Sequence, residues 1–525
     1  MRICLHFDPS RLLRWHLWLA QALAEVPDNQ ILRSFAPQRY PLPPGSRLLF
    51  ELERLIYGFR GLGAMDRTES ELLSLPPLQG GHADVVIDLS GEEVSPTAQR
   101  VLRPFFNGVP SEIGIMAALA NDQPLLVELH DTERPSNPWT AHPASQDREV
   151  FSASLDAVLS CATALILKAL HHEDGPIDAD GASHAKPKRR SFGPRSAVGF
   201  ATATFASKAA RLLNKMSQGD RCWAIGWRFD HTASLLDKRE AAFHVLSGGT
   251  SSYLADPFPF RHDGKDFIFV EEYLYSKNRG CISVVALDQN GAASPPRIVL
   301  EEPHHLSYPF VFAHGGQIWM IPESGAARHV ALYRAVEFPY RWALESYLIQ
   351  GIEGYDATPL QHRGGFSFFV SPRLWKSSSW DLLDLYHADN LTSAWTRHAA
   401  GPTLIDARFS RPAGAVIERN GHYLRPAQDC SRSYGGAVTF CRIDAIGRSE
   451  FAQTPMGRIE SGSFGCHTYN RHAGLETIDV FGQVRGVRKT KVSYIPLRPD
   501  TRSPTTIDDK ADLSEELGIR LAARS

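Results

Sequence analysis

Between Tyr253 and Asp429 one pattern of residues is written four times. Each unit has a proline near its start: Asp256-Pro257, Tyr308-Pro309, Thr358-Pro359 and Arg411-Pro412. A short polar turn follows, ending in Gly264, Gly316, Gly364 or Gly421, and then an apolar run. Seven residues past each glycine stands a polar residue, in turn Glu271, Glu323, Ser371 and Gln428. Each unit therefore reads as strand, tight turn, strand. Units begin about 50 residues apart, a spacing that predicts the blades of a β-propeller. A less regular fifth unit runs from Gly465 through Gly474 to Val480. The strand expected over Trp223–Phe229 would complete it, because an open ring leaves edges bare.

The 525 residues exceed one ordinary core, so several domains are expected. Strands at 2–7, 31–35, 83–90 and 124–129 alternate with helices from Ser10 to about Leu23 and from Arg47 to Tyr57. Phe151–Ala169 reads as strand plus helix. The fold class is thus multidomain: an N-terminal α/β domain with a parallel sheet (1–170), then an all-β five-bladed propeller (220–496). A linker and bridging helix (171–219) join them, including the basic run Lys186–Arg190 and an amphipathic Val198–Met216. A tail (497–525) ends the chain.

A net charge of −2 gives no field to hold nucleic acid. The seven cysteines form no CxxC pair, which argues against a zinc site or disulfide framework and for a reducing, cytoplasmic setting. No run approaches about 18 apolar residues, so no membrane span is expected. No glycine-rich phosphate loop is found, and no cofactor or metal is expected.

In a propeller, equivalent positions converge on the central axis. Here the apolar and glycine positions recur while the polar ones differ, the pattern of one scaffold carrying an asymmetric site. Carboxylates there suit glycosidic chemistry, which needs one carboxyl as acid and another as base or nucleophile. Asp256, Glu323 and Asp356 are the catalytic candidates. Glu271, Glu272, Tyr308, Arg411, Arg425, Gln428, Asp429, Tyr434 and His467 are the candidates for substrate binding. The same residues admit a structural role: an Asp before Pro satisfies turn amides, and Arg411, Arg425 and Asp429 could form an ion-pair network between blades.

These motifs resemble the five-bladed furanosidase-like propellers of glycoside hydrolases, where an Asp-Pro opens the first blade. More closely, Ala255-Asp256-Pro257-Phe258, Ile321-Pro322-Glu323-Ser324, Arg411-Pro412-Ala413-Gly414 and Arg425-Pro426-Ala427-Gln428-Asp429 look like the N-terminal propeller of glucosamine inositolphosphorylceramide transferases. The hydrolase resemblance implies an Asp base, a second Asp that tunes it and a Glu acid. Asp256 matches the first, but Tyr308 stands at the second. Residues 1–165 weakly resemble the α/β half of formyltransferases, without that family's Asn-His-Asp set. The expectation is a carbohydrate-active protein that binds a sugar or glycoconjugate in the funnel, with processing or transfer of that sugar as its possible chemistry. The alternatives are a non-catalytic scaffold in a polysaccharide or glycolipid pathway, or a formyl or glycosyl transferase using the α/β domain.

Overall fold

The structure is a computed structural model and describes residues 1–497 apart from 38–40, 59–62, 80–81, 92–97, 135–136, 145–147, 149, 172–220, 363–364, 462–464 and 483–487. The expected linker and bridging helix lie outside the described residues except for His171, which ends a helix, and so does all but the first residue of the tail.

The N-terminal region runs β1 (Arg2–Phe7), α1 (Arg14–Ala24), β2 (Gln30–Phe35), α2 (Ser46–Tyr57), α3 (Glu69–Leu73), β3 (Val85–Leu89), β4 (Val101–Phe106), α4 (Ile113–Ala120), β5 (Val127–Asp131), β6 (Trp139–Ala141) and α5 (Phe151–His171). Its sheet has the order β2-β1-β3-β4-β5-β6. The first four strands pair in parallel, whereas β5 and β6 turn antiparallel, so the sheet is mixed. The short link from β5 to β6 has no room for a parallel crossover, which needs a dozen or more residues. Phe151–Ala169 forms one helix with no strand, because its Ala- and Leu-rich run contains no breaker. That helix is long and apolar enough to cross a bilayer, yet 72% of its apolar window is buried inside the protein.

From Cys222 onward the described chain is almost entirely strand. β7 (Cys222–Phe229) and β8 (Glu240–Ser247) come first. Three antiparallel units follow. The first is β9 (Ser252–His262), β10 (Lys265–Leu274), β11 (Arg279–Leu287) and β12 (Arg297–Leu300). The second is β13 (Ser307–His314), β14 (Gln317–Glu323), β15 (His329–Glu337) and β16 (Arg341–Gln350). The third is β17 (Gly354–His362), β18 (Gly365–Pro372), β19 (Leu382–Ala388) and β20 (Thr396–Arg397), with β21 (Leu404–Ile405) also on β19. A fourth unit is β22 (Ile417–Arg419), β23 (His422–Asp429), β24 (Ala437–Ile446) and β25 (Phe451–Ser461). In the fifth, β26 (Tyr469–His472) and β27 (Leu475–Gly482) pair with β7 and β8. The two ends of this β region thus close one unit, as the edge argument requires. β28 (Lys489–Pro496) pairs β25 with β8 and fuses the last two units into a nine-stranded sheet. The arrangement of curled sheets resembles a propeller.

The hairpin turns obey the sequence. Asp263-Gly264, Gly315-Gly316, Asn420-Gly421 and Ala473-Gly474 each have positive φ at both residues, the two-residue turn whose twist matches the strands. Gly364 lies outside the described residues. The N-terminal region is bound to the third unit: Lys168 Nζ donates to Thr403 O (2.5 Å), Lys376 pairs with Asp156 (2.9 Å), and Ala144 N donates to Asp381 Oδ2 (3.2 Å).

Candidate functional site

The repeat places three backbone kinks around one axis. In the first unit Ala255 pairs with Glu271 and Phe258 with Phe269, so Asp256 and Pro257 together oppose one residue. The same bulge occurs between Ser307 and Phe310, and between Tyr355 and Thr358. Asp256 (φ 50°), Tyr308 (φ 45°) and Asp356 (φ 53°) occupy it in the left-handed region. Non-glycine residues held there cost on the order of 1 kcal/mol or more and cluster at functional sites. This corrects the sequence alignment of the third unit: Asp356, two residues earlier, takes the place assigned to Thr358. Glu271, Glu323 and Ser371 sit at matching positions on the second strands, as counted.

Tyr308 closes the axis. Fully buried, its hydroxyl lies 2.8 Å from Thr358 Oγ1 and accepts from Gly414 N at 2.6 Å, tying units two, three and four. Burial drives its phenol well above the ordinary range. Gly414 is required here, because a Cβ would meet Tyr469 O at 2.1 Å.

On one side of this spoke the first and fifth units meet. Asp256 accepts from Thr468 Oγ1 (2.7 Å) and from the Tyr308 amide (3.1 Å), while its own amide donates to Asp479 (3.3 Å). His467 lies between carboxylates, its Nδ1 bonded to Asp479 and 3.8 Å from Asp256. Its ring stacks on Trp223 at 4.1 Å. Burial opposes the imidazolium, but Asp479 and Asp256 outweigh it and hold the pKa above the ordinary value. Burial, with Asp356 and Asp479 adding, lifts Asp256 to about 6 despite the opposing pull of His467. Among the described residues, Asp256, His467 and Asp479 also bring one ligand atom each within 4.8 Å of one another, a spacing that would suit a cation if His467 were neutral.

On the other side the third and fourth units meet. Arg411 grips Asp356 through Nε (2.6 Å) and a terminal nitrogen (3.3 Å), and Gln428 donates to the same carboxylate (2.8 Å). Arg411 also reaches Ser379 Oγ (2.9 Å) and lies 5.1 Å from the Tyr434 ring. Tyr434 in turn packs edge-on against His467, joining the two halves.

Glu323 accepts from Ser307 Oγ (2.7 Å) and the Gly325 amide (2.5 Å), and burial with the Asp356 charge lifts it to about 7. Glu271 is pushed well up by burial and by four neighbouring carboxylates. Its Oε1 has no hydrogen bond and lies 3.5 Å from His305 Nε2. Because His305 Nδ1 accepts from the Gly280 amide (2.9 Å), its proton belongs on Nε2, facing that oxygen.

Three expected binders are elsewhere. Glu272 points to the opposite face of β10, as alternation requires, and is held by Ser252 and Ser283. Arg425 is fully buried on Gln453 and the carbonyls of Ser410 and Phe409, with no carboxylate partner among the described residues and no open face. Asp429 closes a local turn on Ser431. Sequence reasoning missed Asp479, Thr468, Trp223 and His305. Asp479 is the fifth unit's counterpart of Gln428: each donates its amide to the segment that precedes the unit's first strand, at Thr468 O and Arg411 O. The fifth hairpin is two residues shorter after its glycine, so a count of seven lands on Phe481. Strand alternation from Leu475 through Thr477 points to Asp479 instead.

Residues 241–474 match the family model described as glucosamine inositolphosphorylceramide transferase 1, N-terminal. The match falls on the propeller-like sheets. The transferase of that name from Oryza sativa subsp. japonica is 28% identical over 298 residues, covering 51% of this chain and 39% of that protein. The one from Arabidopsis thaliana is 28% identical over 229 residues, covering 43% and 30%. The chain therefore spans well under half the length of the curated relatives it matches. Among solved structures, the β-xylosidase RS223 aligns at a TM-score of 0.36 and 12% identity, over 48% of this chain and 94% of that one. An exo-1,5-α-L-arabinanase from a bovine ruminal metagenomic library aligns at 0.33 and 15%, over 48% and 96%.

Proposed function

We propose that this chain binds a sugar or glycoconjugate at the axis of a five-bladed propeller formed by residues 220–496. The observation that carries the reading is the side-chain set itself. Asp256, Glu271, Glu323, Asp356 and Asp479 are all buried there, and among the described residues Arg411 and His467 are the buried cations that touch them. Such a cluster is costly; Thr468, Ser307, Arg411, Gln428 and His467 serve most of its oxygens, and a ligand's hydroxyl or amino donor would serve what remains. Glu271 Oε1, buried without a hydrogen bond, is the acceptor best placed for such a donor. The family match supports the sugar class, since the relatives are named glucosamine inositolphosphorylceramide transferase 1.

If the site also processes the sugar, Glu323 is the acid, being lifted to about 7 and so protonated near neutrality. Asp256 is the corresponding base. Asp356, clamped by Arg411 and Gln428, positions rather than transfers protons. The second reading, a binding propeller without turnover, is favoured by Tyr308, which puts a phenol where the resembled hydrolases carry an Asp.

Group transfer by the α/β domain, taken as residues 1–170, has less support. Beyond its strand ends Arg11 is fully engaged with Asp8, Glu112 and Ser90 O. A cavity of about 290 Å³ beside it is lined by Arg11, Arg47 and Arg67. All seven cysteines are buried and form no disulfide among the described residues, which supports a reducing, cytoplasmic setting. Calorimetric titration with amino sugars, neutral hexoses and uronates tests the reading. Asp256→Asn and Glu271→Gln should weaken whichever sugar binds by at least about tenfold, because each exchanges an acceptor oxygen for an amide group and leaves a buried ligand donor unpaired.

A further inference from the structure

We propose that α2 is a membrane-surface contact, lying on a bilayer rather than crossing it. The helix exposes Leu48 (64%), Leu52 (46%), Leu55 (81%) and Ile56 (48%), an apolar stripe at i, i+4, i+7 and i+8 on its outer side. Its inner side is fixed. Glu53 is buried, and its carboxylate accepts from Phe151 N (2.8 Å), Ser152 N (2.8 Å) and Ser152 Oγ (2.7 Å), capping the start of α5. Leu49 and Phe50 pack on the core beside it. Rolling the helix to hide the stripe would strip that buried carboxylate of three donors, so the outward stripe is set by the fold.

The stripe amounts to on the order of 400 Å² of contiguous apolar surface, the size of the largest patch on an ordinary monomer, which is often functional. A stable dimer needs about 800 Å² from each partner, so a second copy would be poorly served. A bilayer needs no matching shape: an amphipathic helix buries its apolar face in the headgroup and acyl boundary. Arg47 and Glu51, both exposed beside the stripe, cancel in charge. Attachment is therefore by apolar insertion, and anionic lipid is not required. This proposal is independent of the sugar reading, since it concerns the opposite end of the chain and needs no ligand.

The test uses the full chain with Glu51→Cys carrying an environment-sensitive fluorophore, the native cysteines being buried. Phosphatidylcholine vesicles should shift its emission to the blue, with little change at about 0.5 M salt, where exposed charges are screened within a few Å. Adding Leu52→Glu and Leu55→Glu should weaken vesicle binding at least tenfold while leaving the melting temperature unchanged. No shift with vesicles overturns the proposal. So does emission already blue without lipid and independent of protein concentration, which would mean that the chain covers α2 itself. A shift that grows with protein concentration in the absence of lipid would assign the face to a second copy instead.

Discussion

Tyr308 illustrates how one side chain decides what the axis can do. Its hydroxyl serves Thr358 and the Gly414 amide at once, and no water is needed to complete it. Tyr308→Phe should cost about 1–3 kcal/mol in urea unfolding, because the Gly414 amide would be left buried and unpaired. Arg411→Leu should cost more, about 3–5 kcal/mol, since it strands the buried Asp356 charge. The acids also predict a pH dependence. Glu323 rises from an ordinary 4.5 to about 7 on folding, so the folded state binds more protons than the unfolded one between those values. The sign follows: its contribution is fully present below about pH 4.5 and is lost as pH climbs through about 7. Stability of the wild type measured from pH 4 to 8 should fall on that limb, and Glu323→Gln should flatten it by on the order of 3 kcal/mol. An unchanged slope would place the Glu323 carboxyl in contact with solvent.

At the scale of elements, the hairpins were readable because their turns leave little choice. Asp-Gly and Asn-Gly favour two left-handed residues in succession, and the glycine count then fixes the opposite strand. The proline misled the count in the third unit. Asp356, not Thr358, stands eight residues before Gly364, as Asp256 and Tyr308 stand before Gly264 and Gly316, and the bulge recurs there in all three. In the fifth unit the shortened hairpin hid Asp479. Glu272, Arg425 and Asp429 were named because they neighbour the right residues, but strand alternation and blade packing turn them to other work. Trp223 was legible only as strand, although its ring is the platform under His467. Trp223→Ala should therefore lower the affinity for the proposed sugar and also destabilise the protein, by about 1–3 kcal/mol, less than a full core truncation because the ring is only half-buried. Unfolding and titration on the same sample separate the two effects.

For the whole molecule, closure and docking set the scale. β7 binds β27, and α5 shares a core with Leu382 and Ile405 of the third unit, so the propeller-like sheets and the N-terminal region support each other. The Lys376–Asp156 pair and the Lys168–Thr403 bond add polar contacts across that boundary. The sheets are thus a frame whose five units deliver different polar residues to one axis, and the central claim is that a sugar is what satisfies them. Calorimetric titration of wild type, Asp256→Asn and Glu271→Gln against amino sugars, neutral hexoses and uronates tests that claim most directly. A sugar that binds the wild type and loses at least about tenfold in both variants, at unchanged melting temperature, is the expected result. A sugar bound equally by all three proteins, or none bound by the wild type, would contradict it.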